Sequence, residues 1–233
     1  MTIEIDVDHQ INATTRTLGA RTHEAGELRE VVLSAAYAAT VEDLWDAVST
    51  ADHIARWFLP ISGDLRLGGH YQLEGNAGGE VTACDPPNGF DATWVIQMPD
   101  MPAPAVSWIE VRITAEGDDR ARLTLTHVAE VDDAMWAQFG PGAVGIGWDQ
   151  GLLGLHLHIT SGGATVDPAE VLPWIASDEG KRFTTLAGEG WYAAEVARVA
   201  TGSPVQSVLF PALGWEGELW SVSFLTVARI AVA

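Results

Sequence analysis

Residues 41–73, VEDLWDAVSTADHIARWFLPISGDLRLGGHYQL, decide the architecture. Thr40 stands where a helix N-cap belongs, Asp43 follows three residues later as a weaker form of the capping box, and Val41, Leu44, Trp45 and Val48 recur at helical spacing. A second helix starts near Thr50 or Asp52 and carries Ile54, Trp57 and Phe58 on one side. It must stop at Pro60, because the residue before a proline is pushed out of the α region. Gly68-Gly69 then turns the chain into a β-hairpin.

Outward from this unit the pattern continues on both sides. Arg29 to Tyr37, REVVLSAAY, reads as a strand, whereas residues 1–28 are mixed and polar without a sustained period and read as a leader that either packs late or stays mobile. Downstream, turn signals at residues 75–79 and 86–89 separate alternating runs, an antiparallel meander. Period two places Tyr71 and Leu73, Val81 and Ala83, and Phe90, Ala92, Trp94 and Ile96 on apolar faces. Ile109, Val111 and Ile113 follow, then Leu123, Leu125 and His127. On the opposite parity Glu110 and Arg112 are placed to pair with Arg122 across strands.

After an acidic link (Glu130, Asp132, Asp133) and a Gly-Pro-Gly bend at 140–142, residues 144–160 form a helix with Trp148, Leu152, Leu155 and Ile159 on one stripe. Its glycines at 147, 151 and 154 each cost roughly 1 kcal/mol against alanine, so they mark either close backbone approach or room for something bound. Asp167-Pro168-Ala169-Glu170 opens a further helix and Glu179 to Ala200 another, together an appendage. From Ser203 the chain turns apolar and poor in charge, with strand-like alternation at Trp220, Val222 and Phe224. The final apolar run of roughly 15 residues is short of the ~20 that a membrane span needs.

Composition narrows the partners. The 233 residues carry 12 Lys and Arg against 32 Asp and Glu, a formal charge of −20, which repels phosphate backbones and anionic membranes. Nucleic acid is therefore not expected, nor membrane insertion. Cys84 is the single cysteine, so no internal disulfide framework exists, and the acidic N-terminus lacks the pattern of a secretory signal; a cytoplasmic location is expected.

Few residues carry recognisable chemistry. Residues 140–145 satisfy GxGxxG before a helix, but no strand leads into them and Pro141 removes an amide, so no dinucleotide or other cofactor is expected. His156 and His158, two apart on a helix, face different directions and cannot share a metal. His127 lies on an apolar face, where it is either a satisfied core histidine or an acid–base group. No catalytic residue is assigned from spacing.

The segments Val41-Glu42-Asp43-Leu44-Trp45, Arg56-Trp57-Phe58 and Gly68-Gly69-His70-Tyr71 resemble the homologues of the heat-shock protein 90 ATPase activator, within the START and Bet v 1-like (SRPBCC) superfamily. Cys84-Asp85-Pro86-Pro87, Thr93-Trp94, Leu123 to His127, Gly147-Trp148-Asp149 and Leu152 to Leu155 continue the likeness in order over residues 29–160, and residues 167–200 resemble an extension seen in a bacterial subgroup. The resemblance implies an α+β helix-grip fold: a curved antiparallel sheet wrapped around a long C-terminal helix, with two short helices after the first strand and extra helices at the end. It also implies a deep, mainly apolar cavity of the kind used in the superfamily for lipids and polyketides, and it does not imply co-chaperone activity. The tail departs from relatives of this subgroup and reads as a divergent or out-of-frame end.

The domains expected are a leader (1–28), the helix-grip domain (29–160), a helical extension (161–202) and an atypical apolar tail (203–233). The expected function is binding of a hydrophobic small molecule. Its candidate site is Trp57, Phe58, Tyr71, Leu73, Trp94, Ile109, Val111, Leu125, His127, Trp148, Leu152 and Leu155, with His127 or Tyr71 orienting the ligand. The alternatives are a cyclase- or hydrolase-type enzyme using the same cavity with His127 as acid or base, and a co-chaperone-like module or homodimer.

Overall fold

A computed structural model describes residues 5–96 and 106–200. The expectations for residues 203–233 lie outside the described residues. The chain forms α1 (Val7–Ala13), β1 (Thr14–His23), β2 (Gly26–Tyr37), α2 (Val41–Ser49), α3 (Ala51–Trp57), β3 (Ile61–Gly63), β4 (His70–Leu73), β5 (Gly78–Asp85) and β6 (Gly89–Thr93). There follow β7 (Ser107–Gly117), β8 (Arg120–Ala129), α4 (Asp133–Phe139), α5 (Gly142–Thr160), α6 (Pro168–Ala176) and α7 (Asp178–Ala200). The eight strands make one antiparallel sheet in the order β1-β2-β8-β7-β6-β5-β4-β3, which curves around α5 in a helix-grip arrangement. No helix among the described residues is long and apolar enough to cross a membrane.

The local signals act as read. The Thr40 side chain accepts from the Asp43 amide and caps α2, whose Leu44, Ala47 and Val48 are buried. Asp167 caps α6 with Pro168 in the first turn. Two expectations change. The stretch assigned to a leader contains α1 and β1, and β1 pairs with β2 in unbroken register from Thr14↔Ala35 to His23↔Gly26. The acidic link carries the short helix α4, capped by Asp132, which accepts from the amides of Ala134 and Met135.

The largest correction concerns the C-terminal helices. The sequence of α5 is apolar nearly all round, and such a helix is stable only when covered on both sides. The sheet side takes Trp148, Leu152 and Leu155 into the main core, while Leu153 packs with Val7 and Phe183 on the other side. Helix α7 supplies that second cover, and its Ala187 and Trp191 are fully buried members of the main core. It lies so close that a methyl group at Gly145 would fall 2.1 Å from the Trp191 ring. Far from being an appendage, α7 is a wall of the fold.

Two polar clamps fix α5 between its neighbours. On the outer side the buried Asp149 carboxylate accepts from Arg16 Nη2 of β1 at 2.7 Å, from Arg16 Nε at 3.1 Å and from Trp191 Nε1 of α7 at 2.8 Å. Burial raises this carboxyl, and the guanidinium and indole N–H pull it back. On the sheet side, Trp148 Nε1 donates to His127 Nδ1 at 3.1 Å, which puts the ring proton on Nε2, facing the Ser107 hydroxyl at 3.0 Å. His127 thus joins β7, β8 and α5 as a neutral ring, and burial lowers it to about 4. On the outer sheet face Arg21 of β1 pairs with Glu110 and Glu30, Arg112 with Asp91 and Arg122 with Glu116. The expected pairing of Glu110 and Arg112 with Arg122 is not made: the register sets Thr126 opposite Glu110, Thr124 opposite Arg112 and Thr114 opposite Arg122, and Arg21 of β1 takes Glu110.

Asp149→Ala leaves the Arg16 charge buried without its partner and is expected to destabilise the protein by about 3–5 kcal/mol in urea unfolding. An unfolded chain protonates His127 near 6.5, whereas the folded chain keeps it neutral down to about 4. Its contribution is therefore fully present above pH 6.5 and lost as pH falls toward 4, by about 3 kcal/mol in all. Stability measured from pH 7 to 4 is expected to fall less steeply in His127→Gln than in the parent chain.

Candidate functional site

Curving the sheet around one side of α5 leaves a space that its side chains do not fill. A cavity of about 500 Å³ lies between β4–β8, the α2–α3 pair and the inner face of α5. This is within the range of small-molecule sites. From the sheet come Tyr71, Leu73, Trp94, Ile109, Val111 and Leu125; from α3 and its end come Trp57 and Phe58; from α5 come Trp148, Leu152 and Leu155. These are eleven of the twelve residues expected from sequence. His127 is the exception: its strand parity is inward as expected, but it stands behind Trp148 and Trp94, outside the lining.

Aromatic rings make one wall continuous. Trp94 and Trp148 have ring centroids 4.9 Å apart, Phe58 stacks on Trp148 at 6.3 Å, and Trp57 lies 5.4 Å from Phe58. Gly154 shows why this wall can close, since a methyl there would meet the Trp57 carbonyl oxygen at 2.5 Å; the end of α3 rests directly on the backbone of α5. Gly151 differs, for a methyl there would sit at an ordinary 3.7 Å from Phe58 and face the cavity. Of the two sequence-level readings of these glycines, close approach holds at 154 and room at 151.

The polar groups expected to orient a ligand are engaged elsewhere. Tyr71 donates its hydroxyl to the Thr93 carbonyl at 2.7 Å, and burial raises its phenol. Both ring nitrogens of His127 are occupied by Trp148 and Ser107, which leaves no lone pair to take a proton from a substrate. The polar lining that remains is Ser49, Cys84 and Arg66. Arg66 is the one charged lining residue among the described residues and lies at the surface, paired with Asp64, whose carboxyl its hydrogen bonds hold at about 2. With the 65% exposed Leu67 and the exposed Pro86, it marks the mouth between the β3–β4 loop and the β5–β6 turn.

Further lining residues were absent from the expected set. Trp45, Val48, Ile54, Phe90 and Ala92 carry the apolar periodicity that signalled their elements, and only the curvature of the sheet selects them for the cavity. Cys84 was hidden by a register shift. Val81 faces Ala92, but between Val81 and Ala83 the ladder slips, so Cys84 and not Ala83 lies opposite Phe90 and lines the cavity. No group of three or more His, Cys, Asp or Glu among the described residues is arranged to hold a metal ion.

Comparison with known proteins places this geometry in a family. A model described as "Activator of Hsp90 ATPase homolog 1-like protein" matches residues 38–156. The crystal structure of CalU16 from Micromonospora echinospora is 33% identical, with a TM-score of 0.59 over 78% of this chain and 98% of that one. The solution structure of the same protein gives 0.62 over 82% and 97%. EF2215 from Enterococcus faecalis, a conserved protein of unknown function, shares the fold at 11% identity, with a TM-score of 0.53 over 85% of this chain and 96% of its own. No curated protein matches the sequence. The chain belongs to the activator of Hsp90 ATPase homologue 1-like family of helix-grip proteins.

Proposed function

We propose that this protein binds a hydrophobic small molecule inside the cavity between sheet and α5. The observation that carries the reading is a cavity of about 500 Å³ walled by apolar and aromatic side chains, with the one charged lining residue among the described residues at its mouth. Such a space forfeits the dispersion contacts that a filled core would have, and an occupant restores them. Transfer of an apolar ligand from water contributes about 25 cal/mol for each Å² buried, without any directional bond. A charged group would lose its hydration inside without a partner, so the part of the ligand within the cavity is neutral.

The test is titration with N-phenyl-1-naphthylamine, whose fluorescence rises on leaving water. The full-length chain is expected to bind it at one saturable site, and Leu125→Trp, which fills the cavity from β8, is expected to weaken it about tenfold or more. Equal binding by a folded Leu125→Trp chain would place the probe elsewhere and end the proposal. Gly151→Ala adds one methyl to the cavity and removes a helical glycine. It is expected to stabilise the fold by about 1 kcal/mol and to weaken the probe only a few-fold.

A further inference from the structure

We infer that the paired imidazoles of His53 and His158 form an acid-sensitive latch that holds α3, a wall of the cavity, against α5, and so regulate access to that cavity; this rests on the binding role proposed above. His158, in the last turn of α5, is buried, and His53 of α3 is half-buried. Their rings meet edge to face at 84°, with His53 Nδ1 lying 3.0 Å from His158 Nε2. At the other end of its ring, His158 Nδ1 lies 2.9 Å from the Ala164 carbonyl oxygen. A carbonyl oxygen only accepts, so the proton of the neutral His158 ring is on Nδ1 and its Nε2 is bare. His53 must then donate from Nδ1, which leaves its own Nε2 as the bare nitrogen of the pair.

This placement of protons decides how the pair answers acid. One added proton goes to Nε2 of His53, and the bond to His158 becomes charge-assisted. A second has only Nε2 of His158 to occupy, where two N–H groups would face each other, so the contact breaks. Histidine is the side chain that takes up protons between pH 5 and 8. The charged groups of the surrounding elements are engaged elsewhere. Asp52 pairs with Arg56 within α3, Glu42, Asp43 and Asp46 of α2 are exposed, and β3 has none. On α5, Asp149 is clamped by Arg16, and His156 lies toward His9 of α1. Asp167 caps α6, while Trp174 holds Glu179 and Asp8 holds Arg182 on α7. The closed latch therefore holds fewer protons than the open one, and lowering the pH favours opening. The segment released is part of the cavity, because Ile54, Trp57 and Phe58 follow His53 and line it. Two further ties of α3 run to the loop after α5: the Val166 amide donates to the Arg56 carbonyl at 2.8 Å, and Arg56 Nη1 donates to the Gly163 carbonyl at 3.4 Å. His158 is bonded to the same loop through Ala164, so a swing of its ring away from His53 disturbs these ties as well.

The experiment titrates N-phenyl-1-naphthylamine into the full-length parent chain and full-length His53→Asn at pH 7 and at pH 5, where His127 is still mostly neutral. Asparagine sets an amide N–H at the position of Nδ1 and takes up no proton, and its carbonyl can turn to accept from a protonated His158. The two chains are expected to bind alike at pH 7. At pH 5 the parent is expected to bind about tenfold or more weaker with its circular dichroism unchanged, and His53→Asn to lose less than about threefold. Ring ¹⁵N spectra of the parent give a reading that needs no variant: Nε2 of His158 is expected to be bare at pH 7 and to gain its proton over the range in which the probe is released. Equal loss in the two chains, no loss in the parent, unfolding of the parent at pH 5, or release while Nε2 of His158 is still bare would each overturn the latch. Absence of binding by the parent at pH 7 would instead end the cavity reading, and the latch with it.

Discussion

The burial of α5 on both sides is the constraint from which the rest of the structure follows. A helix with so little polar surface cannot face water, so the sheet must curl over one side and α7 must cover the other. Asp149 is the one carboxylate on that helix, and burying it requires a cation. Arg16 reaches it from β1, and Trp191 completes its hydrogen bonding from α7. Three segments far apart in sequence are thereby bound to one side chain. Such a pair adds little net stability over an apolar substitute, but it penalises any arrangement in which either charge is buried alone. It therefore favours the packing in which β1, α5 and α7 meet.

On the other side of α5 the contacts stop short of filling the space. The sheet is held to α5 at the His127–Ser107–Trp148 cluster, α3 is held to it at the Gly154–Trp57 contact, and the cavity opens between these supports. The polar groups that brace the walls are for that reason unavailable within the cavity, since each already has its partner in the frame. On the proposed reading, selectivity among ligands rests on shape and ring stacking, with Ser49, Cys84 and the Arg66–Asp64 pair as the polar features of the cavity.

Legibility in the sequence followed the range of the interactions. Helices α2 and α3, the meander and α5 are encoded by local periodicity, caps and turn residues, and the family resemblance assembled them into the right architecture. Eleven cavity residues were accessible because inward parity on a curved sheet and one helical stripe point to the same space. What escaped depends on distant partners. Arg16 looks like a solvated strand residue until Asp149, 133 positions away, is placed beside it. The alternation of β1 is blurred because that arginine is drawn inward. His127 has the parity of a cavity residue, yet the indole of Trp148 stands in front of it, a matter of side-chain placement that no spacing encodes.

The slip in register between Val81 and Ala83 has an effect beyond local geometry. It turns the chain's single thiol into the wall of the cavity, on the strand next to Phe90 and close to Pro86 at the entrance. Alkylation of Cys84 by reagents of graded size therefore becomes a gauge of how wide the entrance opens. The gauge needs no engineered label, and slower alkylation in the presence of a candidate compound would report that the space is taken.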